Sequence, residues 1–197
     1  MDEVRTVVSR DGTTIAYGRY GAGAGDRPAV VLVSGALGTG AGQAPLARLL
    51  ARDFPVFVYD RRGHGRSGGS GPYAVEREYE DLAAVLAAAG PGAAVHGSGT
   101  GGALALAAAA AGVPVAAVSV FEPPCPGLCP EVHARVLVVD GGASPAPVRR
   151  AARALSAFLP RARHRTLTGQ THEVAPHVLA PVLAEFVAEV AEEAEPA

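Results

Sequence analysis

One histidine in a glycine-containing loop is the residue of this sequence best placed to do chemistry. His172 closes Leu167-Thr168-Gly169-Gln170-Thr171-His172, shortly before an apolar segment of helical period. A neutral imidazole in such a loop can take a proton near pH 7; the competing reading is a histidine kept by ancestry alone. His64 reads as structural, through a hydrogen bond within its own turn, and His96, His133, His164 and His177 read as surface or core histidines. Cys125-x-x-x-Cys129-x-x-x-His133 brings three ligand types close together, and Glu122 or Glu131 could complete four. Its spacing fits no zinc module and its surroundings are rich in proline, so free thiols are expected and no metal.

The elements that must hold these residues alternate. Val4–Ser9 and Thr13–Tyr17 flank Asp11-Gly12 and read as a hairpin. Ala29–Val33 is a continuous apolar run of the kind buried on both faces of a parallel sheet. The spacing then predicts a helix over 44–52, a strand over 56–59, a helix over 75–89 and a strand over 93–95. Beyond a sharp glycine-rich turn follow a helix over 102–111, strands over 115–120 and 136–139, a helix over 146–159, a strand over 164–167 and a helix over 176–193. Strand-helix alternation with buried-type strands implies an α/β fold, one domain over residues 1–197, with a mostly parallel sheet covered by helices on both faces. Active loops of such sheets lie at the carboxyl ends of the strands.

Several strand-end segments are similar, in order, to motifs of the α/β-hydrolase superfamily, and together they span nearly the whole chain. Val30-Val31-Leu32-Val33-Ser34-Gly35-Ala36 resembles its strand and oxyanion loop, with Ser34 where His is usual. Tyr59-Asp60-Arg61-Arg62-Gly63-His64-Gly65-Arg66-Ser67 resembles the long turn after its next strand. Gly97-Ser98-Gly99-Thr100-Gly101-Gly102 falls where the G-x-S-x-G nucleophile elbow belongs, and the segment ending at His172 resembles the loop of the catalytic His. The resemblance implies that backbone N–H groups of Ala36 and Thr100 form an oxyanion hole, with Ser34, Gly35, Ser98 and Ser144 around the pocket.

Three departures follow from that comparison. Counting from the flanking residues Gly97 and Gly101 puts Gly99 at the nucleophile position. Ser98 would have His96 and Thr100 as its flanking residues, which breaks the small-residue requirement of the elbow. The usual acid position, after the strand at 136–139, holds Ser144. In a branch that includes haloalkane dehalogenases the acid follows the preceding strand, and there Glu122 would orient His172, the alternative being a solvated strand-end carboxylate. Asp140 should point elsewhere. Finally, where relatives carry a helical cap, this chain has only residues 121–135, so no cap and an open pocket mouth are expected. An inactivating replacement at position 99 would have left the cap in place.

Composition narrows the partners. The chain has 197 residues, 49% hydrophobic and 18% charged, which excludes intrinsic disorder. Its 17 basic and 19 acidic residues give a net charge of −2 with no basic surplus, and it lacks Trp, so nucleic acid is not an expected partner. The apolar stretch from Ala103 to Phe121 is interrupted by Gly112-Val113-Pro114, so no membrane span is expected, nor is a signal peptide, and a cytoplasmic location is inferred. The resulting expectation is an enzyme without a cofactor. It would act on a small carbonyl-bearing compound, of secondary metabolism by family analogy, using a histidine base and an oxyanion hole for hydrolysis, cyclisation or elimination. The alternatives are a hydrolase-fold binding module, its open pocket covered by a second copy or another protein, and a conventional serine esterase.

Overall fold

Asp11-Gly12 turns the chain back on itself, with Gly12 at φ 86°, so that β1 (Val4–Val8) pairs antiparallel with β2 (Thr14–Tyr20). The computed structural model describes residues 4–21, 27–35, 38–69, 71–124 and 132–194. Ala36, Cys125, Cys129 and Glu131 lie outside them. The further strands are β3 (Val30–Val33), β4 (Val56–Tyr59), β5 (Ala94–Ser98), β6 (Ala117–Phe121), β7 (Arg135–Gly141) and β8 (Ala162–Leu167). The helices are α1 (Ala44–Leu50), α2 (Val75–Ala89), α3 (Thr100–Ala110), α4 (Ala146–Phe158) and α5 (Pro176–Ala194).

The eight strands form one sheet in the order β1-β2-β4-β3-β5-β6-β7-β8, antiparallel at β1/β2 and β2/β4 and parallel from there on. Alternate residues of each strand serve opposite faces. Val31, Val33, Val118 and Val120 pack with Leu82 and Val85 of α2, Leu104 of α3 and Leu155 of α4. Val30, Leu32, Ala117 and Phe121 pack with Leu46 and Leu50 of α1 and Leu179 and Leu183 of α5. The sequence-based expectation of a parallel sheet covered on both faces is met. The long apolar runs exist because both faces of the central strands are buried.

Two boundaries shift, and both bear on the site. β5 continues through His96-Gly97-Ser98 instead of ending at Val95, and α3 begins at Thr100 instead of Gly102. The strand-to-helix turn is therefore as short as it can be, and it stands beside the point where the chain order reverses. From β3 the chain passes to β4 on one side, then returns through α2 to β5 on the other. Open α/β sheets place their ligands at this crevice. Residues 122–134 alone join β6 to β7.

A buried ion pair stiffens the neighbourhood. Arg61, after β4, donates to both carboxylate oxygens of Glu78 on α2 at 2.6 and 2.5 Å and reaches the backbone carbonyl of Ser34 at 3.5 Å. His64 keeps the structural role read for it, with Nδ1 3.0 Å from the carbonyl of Arg62. Glu185 and Glu189 of α5 pair with Arg165 and Arg163 of the edge strand β8, and Glu193 pairs with Arg135 of β7.

Candidate functional site

Gly99 is the single residue between β5 and α3, at φ 53° and ψ −127°, a backbone conformation that side-chain-bearing residues rarely adopt. The glycines around it are needed for space. A Cβ on Gly97 would come within 2.4 Å of the Gly101 backbone. One on Gly101 would lie 2.4 Å from the Val33 carbonyl oxygen, and one on Gly102 would lie 2.7 Å from that of Gly97. Gly99 is different. A Cβ there would meet nothing closer than His172, at 3.5 Å from Cε1 and 3.6 Å from Nε2, which is ordinary contact. The tip of this turn thus has room for a side chain, and that room faces the imidazole.

His172 is held from behind. Its Nδ1 lies 3.0 Å from Oε2 of Glu122, and the other carboxylate oxygen of Glu122 accepts the N–H of Gly141 at 2.8 Å. With Nδ1–H donating to the carboxylate, Nε2 carries the lone pair on the side of Gly99. The Glu122 side chain is 1% exposed, whereas that of His172 is 67% exposed. Glu122 sits at the end of β6 with φ 44°, a left-handed conformation for a residue with a side chain. Strain of this kind costs about 1–3 kcal/mol and survives where the surroundings fix it. Here the backbone is fixed by the Glu122 N–H, which donates to the Val139 carbonyl, and the carboxylate by Gly141. The Phe121 ring stands 6.4 Å from the imidazole.

These residues open into a cleft of about 830 Å³, lined by Gly35, Gly38, Ser98, Gly99, Thr100, Glu122 and His172 and by the apolar Pro123, Pro124, Pro147, Val148 and Ala151. Of the residues singled out in the sequence, the structure brings Gly35, Ser98, Gly99, Thr100, Glu122 and His172 together here. Ser34 and Ser144, expected around the pocket, are instead buried outside this lining, and neither hydroxyl has a hydrogen-bond partner among the described residues. Ser144 is drawn down beside Gly141, where a Cβ would lie 2.8 Å from its oxygen. Asp140 points away, buried, with Oδ2 3.0 Å from Nε2 of His164. Ala36 lies outside the described residues.

One set of groups was missed in the sequence. His96, read there only as a surface or core histidine, is buried, with Nδ1 2.9 Å from the hydroxyl of Ser119 and Nε2 3.4 Å from that of Ser98. Burial drives its pKa down to about 4, so the ring is neutral. His96 and Ser98, two apart on a strand, must share a face, and that much could have been read. The third member could not, because it depends on the register that sets His96 opposite Ser119.

Residues 30–197 match the alpha/beta hydrolase family. The chain belongs to that family. No curated protein matches it in sequence. An alpha/beta hydrolase from Sphaerobacter thermophilus is 38% identical to it, with a TM-score of 0.84 over 92% of this chain and 99% of the other. A thermophilic esterase from Thermogutta terrifontis is 15% identical, with a TM-score of 0.80 over 96% and 99% of the two chains. An enol-lactonase from Burkholderia xenovorans is 17% identical, with a TM-score of 0.76 over 94% and 99%. At such identities the last two share the fold. No helix among the described residues is long and apolar enough to cross a membrane.

Proposed function

We propose that this protein is an enzyme of the hydrolase fold that activates water, not a serine hydroxyl, against a small carbonyl-bearing substrate. The observation that carries this reading is the face-to-face placement of the His172 imidazole and the unoccupied side of Gly99, whose Cβ would lie 3.6 Å from Nε2. In this reading Gly99 takes the nucleophile position of the elbow and Glu122 takes the place of the triad acid. A water molecule then takes the part that a serine hydroxyl would play.

The chemistry then balances without a covalent intermediate. The water proton passes to Nε2 of His172 as the water oxygen bonds to the carbonyl carbon. The carbonyl π electrons move onto oxygen. Glu122, accepting from Nδ1, stabilises the imidazolium, and that proton is returned to the leaving alkoxide or amine as the tetrahedral species collapses. The Thr100 backbone N–H at the start of α3, with that of Ala36, is assigned to the oxyanion; such donors contribute about 3 kcal/mol each. Where the substrate carries its own hydroxyl, the same base would drive cyclisation or elimination. No cofactor enters these steps.

The test is turnover of p-nitrophenyl acetate and of small lactones by the wild type and by His172→Ala. Loss of turnover in the variant, with no fluorophosphonate labelling of either protein, is the expected outcome. The same loss accompanied by labelling of the wild type at a serine would identify a conventional esterase and overturn it. The second reading is a non-catalytic module whose cleft docks another protein or a second copy. The exposure of His172 and the apolar wall of Pro123, Pro124 and Val148 favour it. It requires a wild type without turnover and a His172→Ala variant with unchanged binding.

A further inference from the structure

Resting on the reading of this cleft as the ligand site, we propose that Ser98 offers it a hydrogen-bond acceptor rather than a donor, so the substrate carries a hydroxyl or N–H group close to its carbonyl. Ser98 lines the cleft and immediately precedes Gly99, so a ligand held opposite Gly99 lies next to this residue. What fixes its proton is the pair of residues behind it.

His96 is fully buried and neutral, so it has one N–H and one lone pair, and each needs a partner. On the Nδ1 side stands Ser119. Its hydroxyl oxygen is 2.9 Å from the ring nitrogen. The Ser119 hydroxyl has an outlet for its own proton in the Val95 carbonyl, at 3.5 Å. With its own proton directed at that carbonyl, the Ser119 oxygen accepts from the ring, which places the proton on Nδ1. Nε2 is then left with a buried lone pair, and the hydroxyl it faces, at 3.4 Å, belongs to Ser98. Ser98 therefore donates inward to Nε2, and its oxygen lone pairs are what remain for the cleft. A ligand group with a proton to give is matched there. A bare ether or carbonyl oxygen at the same spot would face lone pairs.

Two measurements on the whole protein decide the matter. Long-range ¹⁵N–¹H correlation spectra of histidine-labelled protein should show His96 protonated at Nδ1; protonation at Nε2 would turn the Ser98 proton outward and overturn the proposal. Titration by NMR with matched amides, lactamide against propanamide and 3-hydroxybutanamide against butanamide, should show the hydroxyl member of at least one pair binding about threefold to tenfold more tightly. Ser98→Ala should erase that difference and Ser98→Thr should keep it. Hydroxyl members that bind no better than their partners, or a preference that survives Ser98→Ala, would overturn it. Binding is the readout, so absence of turnover would count against the enzymatic reading and leave this result standing.

Discussion

Nδ1 of His172 sits 3.0 Å from one oxygen of Glu122, and the other oxygen of that carboxylate is bound to the backbone of Gly141. A buried carboxylate with both oxygens occupied cannot swing away from the ring it faces. The exposed imidazole is thereby aimed at Gly99 by a carboxylate that is itself almost wholly buried.

Replacing Glu122 by Gln tests this. The amide can satisfy only one of the two N–H groups that now converge on the carboxylate and puts an NH₂ against the other. Turnover should fall by about 10²–10⁴-fold in kcat with little change in KM. An unchanged kcat would remove Glu122 from the mechanism.

Gly99→Ser should raise p-nitrophenyl acetate hydrolysis by about 10²-fold or more and create a fluorophosphonate-reactive site at position 99, with burst kinetics. Because the residue stays at φ 53° and ψ −127°, the variant should also lose about 1–3 kcal/mol of stability in urea unfolding. Labelling at Ser98 in either protein would show that the elbow is counted wrongly.

The other glycines of the turn should fail for a different reason. A Cβ at Gly101 lands 2.4 Å from the Val33 carbonyl oxygen, so Gly101→Ala should cost at least about 1–3 kcal/mol. A Cβ at Gly42 meets nothing within 4 Å, and Gly42→Ala should stay within about 0.5 kcal/mol of wild type. Equal stabilities for the two variants would refute the packing argument.

His96 predicts a pH dependence. Its pKa is about 4 in the folded chain against 6.5 for the free side chain. Above pH 6.5 the ring is neutral in both states and contributes nothing. As pH falls from 6.5 towards 4, the unfolded chain gains a proton that the folded chain refuses, and the loss reaches roughly 3 kcal/mol below pH 4. Urea midpoints measured between pH 7.5 and 4.5 should show this loss and should show less of it in His96→Gln. A His96→Gln curve parallel to wild type would exclude His96 as its source.

Much of this protein is written in its local sequence. Apolar runs such as Val30–Val33, and the glycines and prolines between elements, specified the alternating fold because burial on both faces of a strand favours apolar side chains at successive positions. The spacing of Gly97, Gly99 and Gly101 marked the turn, because a chain that reverses so tightly tolerates little else. The sequence also named His172 and Glu122, but left open whether that carboxylate faced the ring or the solvent. They stand fifty residues apart, and only the parallel register of β6, β7 and β8 brings them within 3.0 Å. Tertiary structure alone decided which serines reach the cleft, burying Ser34 and Ser144 while leaving Ser98 on the wall. It alone joined His96 to Ser119 across two strands, since cross-strand partners follow from register and register follows from the packing of the whole sheet.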